Sequence, residues 1–213
     1  MVTYRFYATT ENTEDFVSSV YGNDVDVLSM ETSTSWYQND MGALLAQNIV
    51  PEMFATFPEL AFDSWLTIGL EGPVSSGEGL VNTVGASGDA SWTADFEAGE
   101  NVHLDDAVGG AWFILNGGSN GVAGDDLKVL IAQLTTDGDI LGQLNVQVFE
   151  GGANDQASTH HFTFEAGIWT NPVSYANACG CTDDEALNFD PSADYDDDSC
   201  ILPLLGCTDA LAC

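Results

Sequence analysis

Along residues 1 to about 170, apolar and polar side chains alternate in short runs separated by clusters of Gly, Asn and Asp. The cleanest run is 143–150, where Leu144, Val146 and Val148 point one way and Asn145 and Gln147 the other. That is the period-2 signature of a strand with one buried face. Alternation, or enrichment in β-branched and aromatic residues, predicts further strands at 3–8, 25–37, 63–71, 90–96, 101–104, 111–116, 127–135 and 159–165. Two helical turns are predicted, at 13–20 and 50–54, the second with Pro51 in its first turn, where a missing N–H does no harm. Strands in this number and of uneven spacing predict an all-β body, a two-sheet β-sandwich of jelly-roll type.

The pattern changes after residue 170. All five cysteines, Cys179, Cys181, Cys200, Cys207 and Cys213, lie in the last 35 residues, leaving a long cysteine-free body before them. Such a distribution predicts a self-supporting domain at 1–170, a linker at 171–179 and small modules that need staples, which implies an oxidising exterior. Between Cys181 and Cys200 stand eight carboxylates, at 183, 184, 185, 190, 194, 196, 197 and 198, with no Lys or Arg. Like charges at this density oppose a compact form unless a counter-ion sits among them. Carboxylates, an amide and backbone carbonyls are the hard oxygen donors that suit Ca²⁺. The alternative is a solvated acidic linker, against which stand the bracketing cysteines, the turn-forming Asp190-Pro191 and the apolar Leu187 and Phe189.

Charge then narrows the partners. Against 34 Asp and Glu the chain has two cations, Arg5 and Lys128, for a formal net charge of −32. Nucleic-acid affinity rests on Lys and Arg releasing counterions, and anionic lipid repels the same surface, so neither nucleic acid nor a membrane is an expected partner. Salt or divalent cations make such acidity tolerable, which points to seawater or brine. No apolar run approaches the roughly 18 residues of a transmembrane helix. The stretch 1–7 lacks the basic, apolar and small-residue succession of a secretion signal. The expectation is therefore a longer precursor or another route to an extracellular or cell-surface location.

Residues 180–200, Gly-Cys-Thr-Asp through Asp198-Ser199-Cys200, resemble the acidic, cysteine-bounded "GCTD" repeats of large secreted and surface proteins of marine bacteria, Bacteroidota in particular. The Gly-Cys-Thr-Asp opening recurs at Gly206, giving a repeat at 180–205 and the start of a second at 206–213, with the sequence stopping inside it, as a fragment would. The repeat's fixed positions imply Asp183, Asn188, Asp190, Asp196 and Asp197 as calcium ligands, with Asp194 and Asp198 added at positions it does not fix. Asp198 stands where the repeat usually has Gly, which adds a charge and removes a residue that tolerates positive φ. The resemblance also implies a Cys181–Cys200 disulfide, in a loop whose closure is worth about 3 kcal/mol, and a partner for Cys207 further on; Cys179 and Cys213 are left to pair with each other. In the body, 62–69, 110–113 and 121–130 resemble a domain that recurs beside such repeats, and no enzymatic activity comes with it.

Catalytic constellations are weak. His103 with Asp105 and Asp106 has the composition of a base and its orienting carboxylate, and His160-His161 that of metal ligands. Neighbours on a strand face opposite ways, however, so the two histidines do not share an ion. Asp105-Asp106 and Asp125-Asp126 sit in Gly-rich loops, as turn formers or as a second calcium site. No nucleophile elbow, phosphate loop or HExxH helix is present, and the expectation is a protein that is not an enzyme. Two functions remain: a structural module of an extracellular filament, adhesin or appendage, self-associating through calcium-stiffened repeats; or a carbohydrate-binding module of a secreted enzyme, meeting glycans with Trp36, Tyr37, Trp92 or Trp112.

Overall fold

A computed structural model describes residues 1–85 and 91–166, together with Ala186 and the strand backbones Ala178–Gly180 and Ala193–Asp196. The chain divides into two compact units, Met1–Ile168 and Trp169–Cys213.

The first unit is all-β, with ten strands in two antiparallel sheets. They are β1 (Val2–Thr9), β2 (Phe16–Gly22), β3 (Leu28–Thr32), β4 (Trp65–Leu66), β5 (Asn82–Val84), β6 (Val102–Leu104), β7 (Gly110–Phe113), β8 (Lys128–Thr136), β9 (Ile140–Phe149) and β10 (Ala157–Ala166), with one short helix, α1 (Trp92–Glu97), between β5 and β6. The smaller sheet runs β1-β8-β4. In the larger, β2 and β3 lie end to end along one edge of β9, pairing Phe16 with Phe149 at one limit and Thr32 with Ile140 at the other. The whole of β10 pairs along the opposite edge, Ala157 with Phe149 through Ala166 with Ile140. Beyond β2 lie β7 and β5, and beyond β3 lies β6.

One apolar core takes side chains from both sheets, among them Val20, Met30, Trp112, Leu144 and Val146 from the larger and Leu66, Leu130 and Leu134 from the smaller. Burying a side chain of this size contributes about 1.5–3 kcal/mol. Trp112 also ties the sheets by hydrogen bonding: its buried indole N–H, on β7, donates to the carbonyls of Thr67 at 3.0 Å and Ile131 at 3.1 Å.

Two of the predicted elements are reversed. The helical turn expected at 13–20 is instead β2, a central strand between β7 and β9 that is largely buried. Its alternation is blurred by a register shift between Val17 and Ser19. The strand expected at 90–96 is α1. The Ser91 hydroxyl caps it by accepting the Ala94 N–H at 3.3 Å, and Trp92 and Phe96, one helical turn apart, both face the core. Where 25–37 was expected as one strand, only Leu28–Thr32 is paired in a ladder. Where 63–71 was expected, β4 has two residues. The chain beyond β4 still follows β8, with Thr67 and Gly69 N–H groups donating to Ile131 and Leu130. Gly69 then turns at φ 70°, with the position of an added Cβ 1.8 Å from the Asn120 carbonyl oxygen, so only glycine fits. The turn expected at 50–54 is a 3₁₀ helix, Pro51–Ala55.

In the second unit, β11 (Ala178–Gly180) and β12 (Ala193–Asp196) form a parallel pair, Ala178 beside Ala193 and Gly180 beside Asp196.

Candidate functional site

Strand β9 presents two different faces. Ile140, Leu144, Val146 and Val148 enter the core, while Gln143, Asn145 and Gln147 line the outer face of the larger sheet. Because β2 and β3 share one edge of β9, the residues between them are forced off the sheet into a tight turn. Asn23 closes it, its side-chain oxygen accepting the N–H groups of Val25 and Asp26, both at 2.8 Å. The turn forms one wall of a cleft of about 410 Å³ lined by Val25, Asp26, Gln143, Asn145, His161 and Thr163.

Asn145 organises this cleft. It is 3% exposed, and its amide NH₂ donates to the carbonyls of Tyr21, Asp26 and Val27 at 3.0, 2.8 and 3.0 Å. Three carbonyls around one end fix the amide's orientation, so its oxygen faces His161 Nδ1 at 2.7 Å. An amide oxygen only accepts, so Nδ1 carries the proton and donates. In the neutral ring the lone pair is then on Nε2, which faces Asp26 Oδ1 at 4.0 Å. The other Asp26 oxygen accepts the Tyr21 hydroxyl at 3.1 Å, and Thr159 Oγ1 lies 3.1 Å from the same hydroxyl. Burial pushes the Tyr21 phenol above its ordinary value and the Asp26 carboxylate adds to this, with Thr159 opposing; Tyr21 therefore remains a neutral donor. The result is a hydrogen-bonding cleft in which, among the described residues, Asp26 Oδ1 and the Nε2 of a neutral His161 accept no hydrogen bond and can receive one from a hydroxyl or N–H group.

The structure separates the histidines as the strand period requires. His160 lies on the opposite face from His161, 3.0 Å from Ser158 Oγ. His103 is exposed on β6. Asp106 is a turn former, one oxygen accepting the N–H groups of Val108 and Gly109 at 2.8 Å each. Asp125 and Asp126 are exposed in the turn before β8, and among the described residues no three His, Cys, Asp or Glu side chains converge to hold a metal. Of the aromatics proposed for sugar stacking, Trp36, Trp92 and Trp112 are buried in the core and Tyr37 is half-buried, so they do not form an exposed platform. Asp183, Asn188, Asp190, Asp197, Asp198, Cys181, Cys200 and Cys213 lie outside the described residues; for Cys179, Asp194 and Asp196 the description stops at the backbone of β11 and β12.

Sequence reasoning placed Asn145 on the polar side of β9 but missed its role. Asp26 and Tyr21 were missed altogether. The available signal was Asn23-Asp24, a turn former lying between the helical turn read at 13–20 and the strand read at 25–37. Comparisons of the chain with protein-family models, with curated proteins and with solved structures find no match.

Proposed function

We propose that this chain is a structural module of an extracellular assembly: a β-sandwich of jelly-roll type followed by calcium-binding, disulfide-stapled acidic repeats through which, and beside which, copies associate. The observation that carries this reading is the division of the chain. A cysteine-free unit with its own apolar core is followed by a separate unit that holds every cysteine and the densest run of carboxylates. The sandwich is supported by the shared core and by Trp112 bridging the two sheets.

In the tail, the donor set of Asp183, Asn188, Asp190, Asp196 and Asp197 is all oxygen, the chemistry of Ca²⁺ rather than of a softer metal. The resemblance to repeats of marine surface proteins points the same way. Electron microscopy of the protein in seawater-like buffer, with Ca²⁺ and with a chelator, tests the proposal. Regular filaments that disappear on chelation are expected, and monodisperse particles indifferent to calcium would overturn it.

A second reading, a carbohydrate-binding module, is favoured by one observation, the amide- and hydroxyl-lined cleft around Asn145. Glycan-array binding that is lost in Asn145→Ala would support it.

A further inference from the structure

A sheet edge is a row of unpaired backbone groups, and proteins protect such edges with short strands, bulges, charges or Pro. Among the described residues, four of the five edges here are protected in those ways. β4 has two residues, and β5 and β6 have three each. β1 is longer but carries Arg5 and a register shift between Phe6 and Tyr7. The fifth, β10, is ten residues long, pairs with β9 without a bulge, and contains neither Lys nor Pro.

Charge is also sparse here. The ten-residue strands β9 and β10 hold one carboxylate between them, Glu165, in a chain with 34 in 213 residues. A cationic partner is drawn to the acidic surface elsewhere. The near-neutral strip instead suits a partner that is itself strongly acidic, which meets little repulsion along this edge.

We infer that the free edge of β10 pairs with β10 of a second copy, antiparallel about a two-fold axis, extending the larger sheet across both molecules. This deepens the proposed self-association and rests on that reading for the occupant being a second copy. Strand addition of this kind supplies backbone hydrogen bonds along the edge. Outward-facing backbone groups alternate along a strand, so regular antiparallel pairing of identical strands is centred on a residue, never between two. Registers centred on His160, His161, Phe162 or Thr163 all keep the two Glu165 carboxylates apart. The one centred on Thr163 sets His161 opposite Glu165 and Phe162 opposite Phe164, covering two half-buried rings that border the core. A single added strand is a small interface, below the roughly 1,200 Å² of stable complexes, so the dimer is weak and sensitive to salt.

The test is analytical ultracentrifugation of the intact protein, with reductant present to remove disulfide dimers, as NaCl is raised from about 0.05 to about 0.5 M, which shortens the screening length roughly threefold. A monomer–dimer equilibrium whose dimer fraction rises with salt is expected. Thr163→Glu, which sets carboxylates against each other at the two-fold axis, weakens it at least tenfold, whereas Thr163→Gln does not. Amide exchange gives a second readout that needs no variant: every other amide of 157–166 becomes slower to exchange as protein concentration rises. Three results would overturn the inference: a monomer at every salt concentration, a dimer indifferent to Thr163→Glu, or slow exchange of both amide sets at all concentrations, which would mean that the chain's own residues cover the edge. Calcium-dependent filaments that persist in Thr163→Glu would sink strand pairing but keep assembly. The salt-dependent dimer without filaments would do the reverse.

Discussion

Two loops of the first unit are each pinned by a buried carboxylate, and the two carboxylates respond oppositely to the same kind of contact. Asp15, just before β2, accepts the Gly151 N–H at 2.8 Å on one oxygen and the Asn12 N–H at 3.0 Å on the other, joining the entry to β2 to the turn after β9. Asp63, just before β4, accepts the N–H groups of Asn39 at 2.8 Å and Ala43 at 2.9 Å and so holds the 39–43 loop. Burial pushes both carboxyls upward. At Asp15, hydrogen bonds from Gly151, Asn12 and Glu11 outweigh it, and the carboxyl ends below its ordinary value. At Asp63 burial prevails over the N–H groups of Asn39, Ala43 and Ser64, and repulsion from Glu97 adds to it, so the carboxyl ends above its ordinary value. The number of donors is similar, and the sign is decided by how much water is lost and by the nearest charge.

Linkage turns this into opposite pH dependences. Unfolded, both groups titrate near pH 3.9. Asp15 is lower when folded, so its contribution is present above that value and is lost as pH falls through the folded pKa. Asp63 is higher when folded, so the native state holds its proton more tightly. Its contribution is fully present below about pH 3.9 and is lost as pH rises through the folded pKa.

The largest effect is expected from removing the deeper pin. Asp63→Ala leaves the Asn39 and Ala43 N–H groups without their acceptor and opens a cavity, costing about 3 kcal/mol in urea denaturation at neutral pH. A loss under about 1 kcal/mol would mean that the loop re-pins itself through water. Gly42→Ala attacks the same contact from the other side. A Cβ there falls 2.1 Å from Asp63 Oδ2, so the carboxylate or the loop has to move, at about 2 kcal/mol. Asp15→Asn is expected to cost about 1 kcal/mol at pH 7, and this difference should shrink toward zero as pH is lowered through the carboxyl range. A difference that stays constant with pH would make Asp15 a matter of shape rather than charge.

Asp15 also shows where the sequence was legible and where it was not. Strands with a drier and a wetter face, β1, β6, β9 and β10, were found to within a few residues because alternation records which face meets water, whereas β8, buried on both faces, shows itself by its apolar run. The segment 13–20 was read as a helical turn, and Thr13, Glu14 and Asp15 before an apolar run do have the composition of a helix start. A side-chain oxygen that accepts nearby N–H groups produces the same sequence whether it caps a helix or, as here, a turn leading into a strand. In the reverse case, Trp92 and Phe96 at helical spacing after Ser91 were lost among β-forming residues. The cleft around Asn145 depends on contacts between residues more than a hundred positions apart, which no local pattern records.

The smallest effect isolates the lesser of the two causes that separate Asp63 from Asp15, the nearest charge. Glu97, exposed just after Phe96 in α1, raises the Asp63 carboxyl by repulsion alone. Glu97→Gln removes that charge and keeps the size of the side chain, so Asp63 ionises more readily and its folded value moves down toward the unfolded one. The ionised form is then less costly, and stability at neutral pH rises by a few tenths of a kcal/mol, about what an exposed charge contributes through solvent. The Asp63 titration, followed by NMR of its side-chain carbon, shifts to lower pH. Because the effect is Coulombic, it fades by about 1 M salt, where screening acts over roughly 3 Å, whereas the burial contribution stays. A Glu97→Gln variant whose Asp63 titration is unmoved at low salt would leave burial as the sole reason that the two carboxylates differ.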